Sequence, residues 1–206
     1  SDKDKYDLLD EMKKAIRLEH PALLRYFDVA VVEGMSSFGE KEVLQIGVME
    51  LANYGDLKTF TKGSFDYGIL NKLLVEVLQG LSYLHSKGII HRDLKAQNIL
   101  LIEEEGLIKA KISDFGISKY LQGDGNQSSM AVGTIEYMAP EQFNPAKYGV
   151  KGKIGTNLDL WSFGVMLYEL IMKKSLFGSR GKDTTSEQIM STILSSPLPA
   201  EVDTMP

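Results

Sequence analysis

The sequence predicts an α+β fold, and three observations carry that reading. Strand-like apolar runs crowd in before Gly55, helix-spaced apolar positions dominate after it, and no internal repeat interrupts the order. Composition agrees: 206 residues, 43% hydrophobic and 25% charged, describe a globular chain rather than a disordered one, one ordinary domain or a piece of a larger one. A net charge of −5 offers no basic field to nucleic acid or an anionic membrane. The absence of cysteine excludes a disulfide scaffold and thiolate metal sites and fits a reducing compartment. Three histidines are too few for a dedicated zinc cage. The longest apolar run, residues 160–172, is broken by Glu169 and is too short to span a bilayer, and no signal peptide is visible.

Taken in order, the first element is an amphipathic helix. Leu8, Met12 and Ile16 fall four apart, and Leu9 and Ala15 widen the stripe. Glu11 shares part of that apolar side, where a carboxylate needs a partner. Pro21 disfavours helical geometry in the residue before it, so the helix should stop near Glu19 and His20. Residues 23–32 and 43–49 read as strands, and the intervening 33–42, with two glycines and two serines, as a hairpin loop. Leu70, Leu73, Leu74, Val77, Leu78, Leu81 and Leu84 follow the spacing of a long buried helical face, closed by Lys87 and Gly88. Residues 99–102 and 107–112 flank an acidic turn and form a small hairpin. Residues 123–129 are a polar, glycine-rich loop. A second buried helix covers 157–172, and a weaker amphipathic one 186–194. A boundary falls near residues 53–55.

The segment that carries chemistry is His91-Arg92-Asp93-Leu94-Lys95-Ala96-Gln97-Asn98, on a loop between the long helix and the small hairpin. Asp114-Phe115-Gly116 follows the hairpin, and Ala139-Pro140-Glu141 follows the polar loop. Each triplet alone is a weak signal; their order and spacing together are a strong one. Phosphoryl transfer asks for positioning and charge neutralisation more than covalent chemistry. Asp114 and Asn98 are oxygen donors suited to a hard Mg²⁺ ion. Lys95 can set a point charge on a transferring phosphate. Asp93 can accept the hydrogen bond of an incoming hydroxyl and orient it; with an ordinary carboxylate pKa near ~3.9 it is a weak base, so orientation is its larger contribution. The bland alternative is a solvated turn in which Asp93 and Asn98 serve as caps.

With these motifs the chain resembles the eukaryotic-type protein kinases of the serine/threonine type. The resemblance implies a two-lobed fold: a partial small lobe over residues 1–52, and most of a mainly helical large lobe over 53–206. It implies transfer of the ATP γ-phosphate to protein serine and threonine hydroxyls, with ATP and Mg²⁺ as cofactors and protein substrates as partners. Nucleic acid and a membrane segment are not expected, and the location is expected to be intracellular and cytoplasmic. It makes Asp93, Lys95, Asn98 and Asp114 catalytic, with Asn98 and Asp114 holding the metal. Met49 takes the gatekeeper position, backbone groups of Glu50 and Ala52 meet adenine, Asp56 reaches the ribose, and Leu100 forms the floor under the base. Asp56 could equally cap a helix starting at Leu57, and Leu100 could be a plain core leucine. Glu11 matches the helix glutamate that pairs with a nucleotide-binding lysine, or is a surface carboxylate. Asp159 is either the buried carboxylate that holds the catalytic-loop backbone or, in Thr156-Asn157-Leu158-Asp159, part of a capping box. Ser128 and Ser129 are candidate phosphorylation sites that could pair with Arg92. Thr134 resembles the threonine that contacts the catalytic aspartate and lysine. Ala96-Gln97 replaces the commoner Pro-Glu pair, which bears on the subfamily and not on the chemistry.

Only seven residues precede Leu8, and no glycine-rich phosphate loop or lysine-bearing strand stands upstream of the first helix. The chain opens on Ser1 and ends at Pro206, before the late helices that the resemblance implies. The expectation is a kinase domain cut at both ends, weakly active or inactive as this polypeptide, from an active parent. The alternative from another class is a pseudokinase, a binding or scaffold module that keeps the fold without transfer.

Overall fold

Backbone pairing governs the first half of the chain. The computed structural model describes residues 13, 16–35, 41–114, 134–179, 181 and 184–204. Strands β1 (Tyr26–Met35) and β2 (Lys41–Met49) form an antiparallel pair running from Tyr26 opposite Met49 to Met35 opposite Lys41. The strand expected over 23–32 is therefore displaced. Its first residues pair elsewhere: Leu24 N–H donates to the Ile112 carbonyl at 2.9 Å, and Ile112 N–H to the Ala22 carbonyl at 2.8 Å. At the other end Glu33 and Gly34, expected in the loop, extend the ladder opposite Val43 and Glu42, because ladder hydrogen bonds use backbone groups and are indifferent to side-chain polarity. Of the first helix Lys13 and Ile16 are described and helical, but Arg17 is in a turn and Leu18, Glu19 and His20 are not helical. The helix therefore ends before the expected stop near Glu19 and His20; Glu11 lies outside the described residues.

The second hairpin joins β3 (Ile99–Glu104) to β4 (Leu107–Ile112). Its two-residue turn, Glu105 and Gly106, has φ of 52° and 79°, the left-handed pair that matches the twist of a tight hairpin. Alternation sorts its faces: Ile99, Leu101, Ala110 and Ile112 are buried, while Leu100 and Lys111 lie opposite each other on the other face.

The helices follow the predicted periods. Asp56 caps the short α1 (Leu57–Phe60), and Asp66 caps α2 (Tyr67–Ser86). Leu70, Leu73, Leu74, Val77, Leu81 and Leu84 are buried on α2, but Leu78 is 39% exposed. Leu78 sits one residue, about 100° of helical rotation, off the Val77–Leu81–Leu84 stripe. Gly88, at φ 73°, ends α2, and Ile89 N–H returns to the Leu84 carbonyl at 3.0 Å. Two short helices, α3 (Pro140–Phe143) and α4 (Pro145–Tyr148), lead to α5 (Asn157–Met172), which spans the predicted residues, and α6 (Ser186–Ser195). Thr185 and Gln188 cap α6 reciprocally. Leu23, Tyr26, Leu73, Leu94, Val165 and Ile189 belong to one continuous core drawing on both halves of the chain. Among the described residues no helix is long and apolar enough to cross a membrane.

Helix α2 lies close on β4. A Cβ added at Gly80 would meet Ile112 Cδ1 at 2.8 Å and the Ala22 carbonyl oxygen at 3.1 Å, and that carbonyl already accepts the Ile112 N–H. Gly80→Val should therefore lower the free energy of unfolding by about 1–3 kcal/mol, the usual cost of overpacking. Urea unfolding checks it; an unchanged midpoint would mean that helix and hairpin are not in this contact.

Candidate active site

The site is built on one buried carboxylate. Asp159, in the first turn of α5, is fully buried, and its Oδ2 and Oδ1 accept the backbone N–H groups of His91 and Arg92, each at 2.9 Å. His85, from the last turn of α2, reaches the same Oδ2 through Nε2 at 2.7 Å. Between the two readings of Asp159, the geometry decides for the loop-holding one: Thr156 makes no side-chain cap, and both carboxylate oxygens are spent on the catalytic loop. Charge-assisted bonds of this kind, kept from water, are among the strongest a fold can use, and removing the acceptor would strand two buried donors.

The loop so held turns sharply. Arg92 has φ 70°, a left-handed conformation costly for an arginine, and its Nε is buried without a hydrogen-bond partner among the described residues. His91 is buried; its Nε2 donates to the Ser113 carbonyl at 2.7 Å and its Nδ1 accepts from Asp93 N–H at 3.3 Å. These contacts bring Asp93 to face three side chains at once. Its Oδ1 accepts from Thr134 N–H and Thr134 Oγ1, both at 3.0 Å. Its Oδ2 lies 3.2 Å from Lys95 Nζ and 3.2 Å from Asn98 Nδ2. Lys95 Nζ donates to Thr134 Oγ1 at 2.7 Å, and Asn98 Nδ2 to the Asp93 carbonyl at 2.8 Å. The Asp93 side chain is 25% exposed and that of Lys95 22%, so the cluster opens on water while its donors stay fixed.

Asp114 joins through the backbone. Ser113 N–H and Oγ both donate to the Asn98 carbonyl, at 2.8 and 2.9 Å. The next residue, Asp114, is exposed and stands at φ 58°. Phe115, Gly116 and the candidate sites Ser128 and Ser129 lie outside the described residues.

The linker after β2 is tied down on both sides. Glu50 N–H donates to the Arg25 carbonyl at 2.8 Å. Asn53 grips β3 twice, Nδ2 on the Glu103 carbonyl and Oδ1 on Glu103 N–H, and Tyr54 N–H donates to the Leu101 carbonyl at 3.0 Å. Asp56 pairs with Leu100 in an isolated bridge, and its carboxylate accepts from Thr59 N–H at 2.8 Å and Thr59 Oγ1 at 3.1 Å, the cap that the sequence offered as one of its roles. Leu100 is half-buried and packs against the core, and Met49 is exposed.

The family profile for the protein kinase domain matches residues 1–204. The chain belongs to the protein kinase family. Among curated relatives, this kinase-family chain is 40% identical to the rat protein kinase C delta type over 69% of its length, and spans 20% of that protein. It is 33% identical to the serine/threonine-protein kinase cds1 of Schizosaccharomyces pombe over 84% of its length, spanning 35% of that relative. It is 30% identical to the serine/threonine-protein kinase RAD53 of Saccharomyces cerevisiae over 87%, spanning 22% of it.

Sequence reasoning overlooked several residues around this cluster. His85 falls on the α2 face of Leu74, Val77 and Leu81, so a polar side chain there needed a buried partner; that signal was present. Tyr137 hydrogen-bonds through its hydroxyl to Glu169, and Ser162 Oγ donates to the Tyr137 carbonyl at 2.8 Å. Burial first, and then the Glu169 bond and charge, push the Tyr137 phenol well above the ordinary tyrosine range. No spacing rule links those positions.

Tyr26, buried in β1, carries a testable consequence. Burial pushes its phenol up to about 12, and the Asp114 charge adds to the effect. The folded state thus holds this proton longer than the unfolded chain does. The contribution is intact below pH ~10 and is lost as pH climbs toward 12, a fall of about 2 kcal/mol. Tyr26→Phe should flatten the loss of melting temperature across that interval; equal slopes in the two proteins would refute the assignment.

Proposed function

We propose that this chain carries the phosphoryl-transfer centre of an ATP- and Mg²⁺-dependent serine/threonine protein kinase located in the cytoplasm. The observation that carries this reading is the convergence of Lys95, Asn98 and Thr134 on the Asp93 carboxylate. Four donors from two separated stretches of chain hold one carboxylate in one orientation, which is what an in-line attack by a hydroxyl requires. In this reading residues 1–52 are small-lobe structure and residues 53–206 large-lobe structure.

Asp93 accepts the hydrogen bond of the serine or threonine hydroxyl and points its oxygen at the γ-phosphorus. Lys95, within reach of Asp93, sets its charge beside the phosphoryl oxygens. As the new phosphorus–oxygen bond forms, the bond to the ADP oxygen breaks, and the hydroxyl proton leaves by way of Asp93. The donor set suits a hard divalent cation: with Asn98 Nδ2 committed to Asp93, its amide oxygen remains, and Asp114 offers an exposed carboxylate. When bound there, Mg²⁺ supplies neutralisation of the phosphate charge. Met49, Glu50, Ala52, Asp56 and Leu100 line the adenosine side. The Asp56 cap and a ribose contact are compatible, because a carboxylate has lone pairs beyond those used by Thr59.

In the full-length protein, Asp93→Asn should lower kcat for transfer from labelled ATP to a serine/threonine peptide by about 10²–10⁴-fold, with little change in the KM for ATP. A variant as fast as the wild type, or a wild type that binds nucleotide and transfers nothing, would contradict the reading.

A further inference from the structure

The side chain of Glu50, in the linker between β2 and α1, is engaged by the protein itself. Its Oε1 lies 3.1 Å from Lys111 Nζ and its Oε2 accepts Arg25 N–H at 3.2 Å. With Glu50 N–H already given to the Arg25 carbonyl, both ends of the residue are committed and its backbone carbonyl is left over. Lys111 stands opposite Leu100 in the β3–β4 register, on the same face of the hairpin. Its side chain is only 13% exposed and that of Glu50 23%, so the pair is shielded well beyond an ordinary surface ion pair. Arg25 does not compete for Glu50 through its guanidinium, which pairs with Glu19 at 3.1 Å and lies over the Phe27 ring.

The pair borders a cavity of about 360 Å³, lined also by Leu18, His20, Pro21 and Leu23. His20 stacks on Tyr83 and accepts Ala22 N–H at Nδ1. Burial, and then the Lys111 charge, hold its imidazole below the ordinary histidine range. The linker thus borders open space at the pair. The ion pair adds a side-chain restraint to the backbone bonds at Glu50 and Tyr54 and the Asn53 contacts.

We propose that Lys111 is a positioning residue for nucleotide binding: by holding the Glu50 carboxylate, it fixes the linker backbone that meets the adenine. The inference rests on the reading of Glu50 and Ala52 as the adenine-binding stretch. A shielded strand lysine becomes, on this account, part of the nucleotide grip.

The test compares Lys111→Met and Lys111→Arg with wild type in the full-length protein. Amide exchange of residues 50–52 should quicken in Lys111→Met and return toward wild type in Lys111→Arg, which keeps the charge and reach. The KM for ATP, and the Kd of a fluorescent ATP analogue, should rise about fivefold in Lys111→Met, a change confined to nucleotide and sparing kcat and the peptide KM. Unchanged exchange would overturn the proposal, as would quicker exchange with unaltered nucleotide affinity, or a parallel loss in kcat and both KM values. A wild type that binds no ATP analogue would instead overturn the functional reading and the nucleotide half of this proposal with it, while the exchange data would still report whether Lys111 holds the linker.

Discussion

Asp159 sits in the first turn of α5 with no access to water, and it accepts hydrogen bonds from two consecutive backbone amides and a histidine. An ionised carboxylate out of water is tolerable only when its lone pairs are filled, and here the donors come from elsewhere in the chain: the end of α2 and the loop at residues 91–92. The arrangement runs both ways. The loop amides would be stranded without the carboxylate, and the carboxylate without the amides. That mutual need allows Arg92 to stand at φ 70°, a conformation the backbone would otherwise leave. The turn at Arg92 sends the chain on to Asp93, so the direction of the Asp93 carboxylate is inherited from Asp159 through the loop backbone.

The polar groups farther out divide into those that hold and those that face water. Thr134 contacts Asp93 and Lys95 through a single hydroxyl, and Asn98 spans the Asp93 side chain and carbonyl. Ser113 locks onto the Asn98 carbonyl and His91 onto the Ser113 carbonyl, which couples Asp114 to the same frame. A connected network of this kind is rigid because breaking one bond leaves another partner unsatisfied. On the other side of the hairpin, the linker is held by backbone bonds to β3 and by the Glu50–Lys111 pair. The two anchorages meet at β3 and β4.

Much of this was legible beforehand, for identifiable reasons. The bounds of α5 and the face of α2 followed from apolar periodicity, with Leu78 as the exception a rotation of about 100° explains. The hairpin turn followed from its acidic and glycine residues. Motif spacing singled out Asp93, Lys95 and Asn98, the family resemblance added Thr134, and the structure brings these four together. The start of β1 was misplaced because residues 22–24 pair with β4, a contact separated by some 90 positions that no local pattern reports. Lys111 escaped notice for a similar reason: in β4 it alternates with Ala110 and Ile112 as any solvent-facing lysine would. Asp159 was open to two readings, since a helix N-terminus welcomes a carboxylate whether it caps that helix or holds another segment.

The claim on which this account turns is that Asp159 holds the loop at His91 and Arg92 that leads into Asp93. It is tested most directly by amide hydrogen exchange at His91 and Arg92 in the wild type and in Asp159→Asn, a substitution that keeps the volume but sets an amide N–H₂ against the loop donors. The account predicts that exchange at these two amides quickens by at least about tenfold, the effect of losing ~1.4 kcal/mol of local protection, while the β3–β4 amides keep theirs. Unchanged protection at His91 and Arg92 in the variant would contradict it.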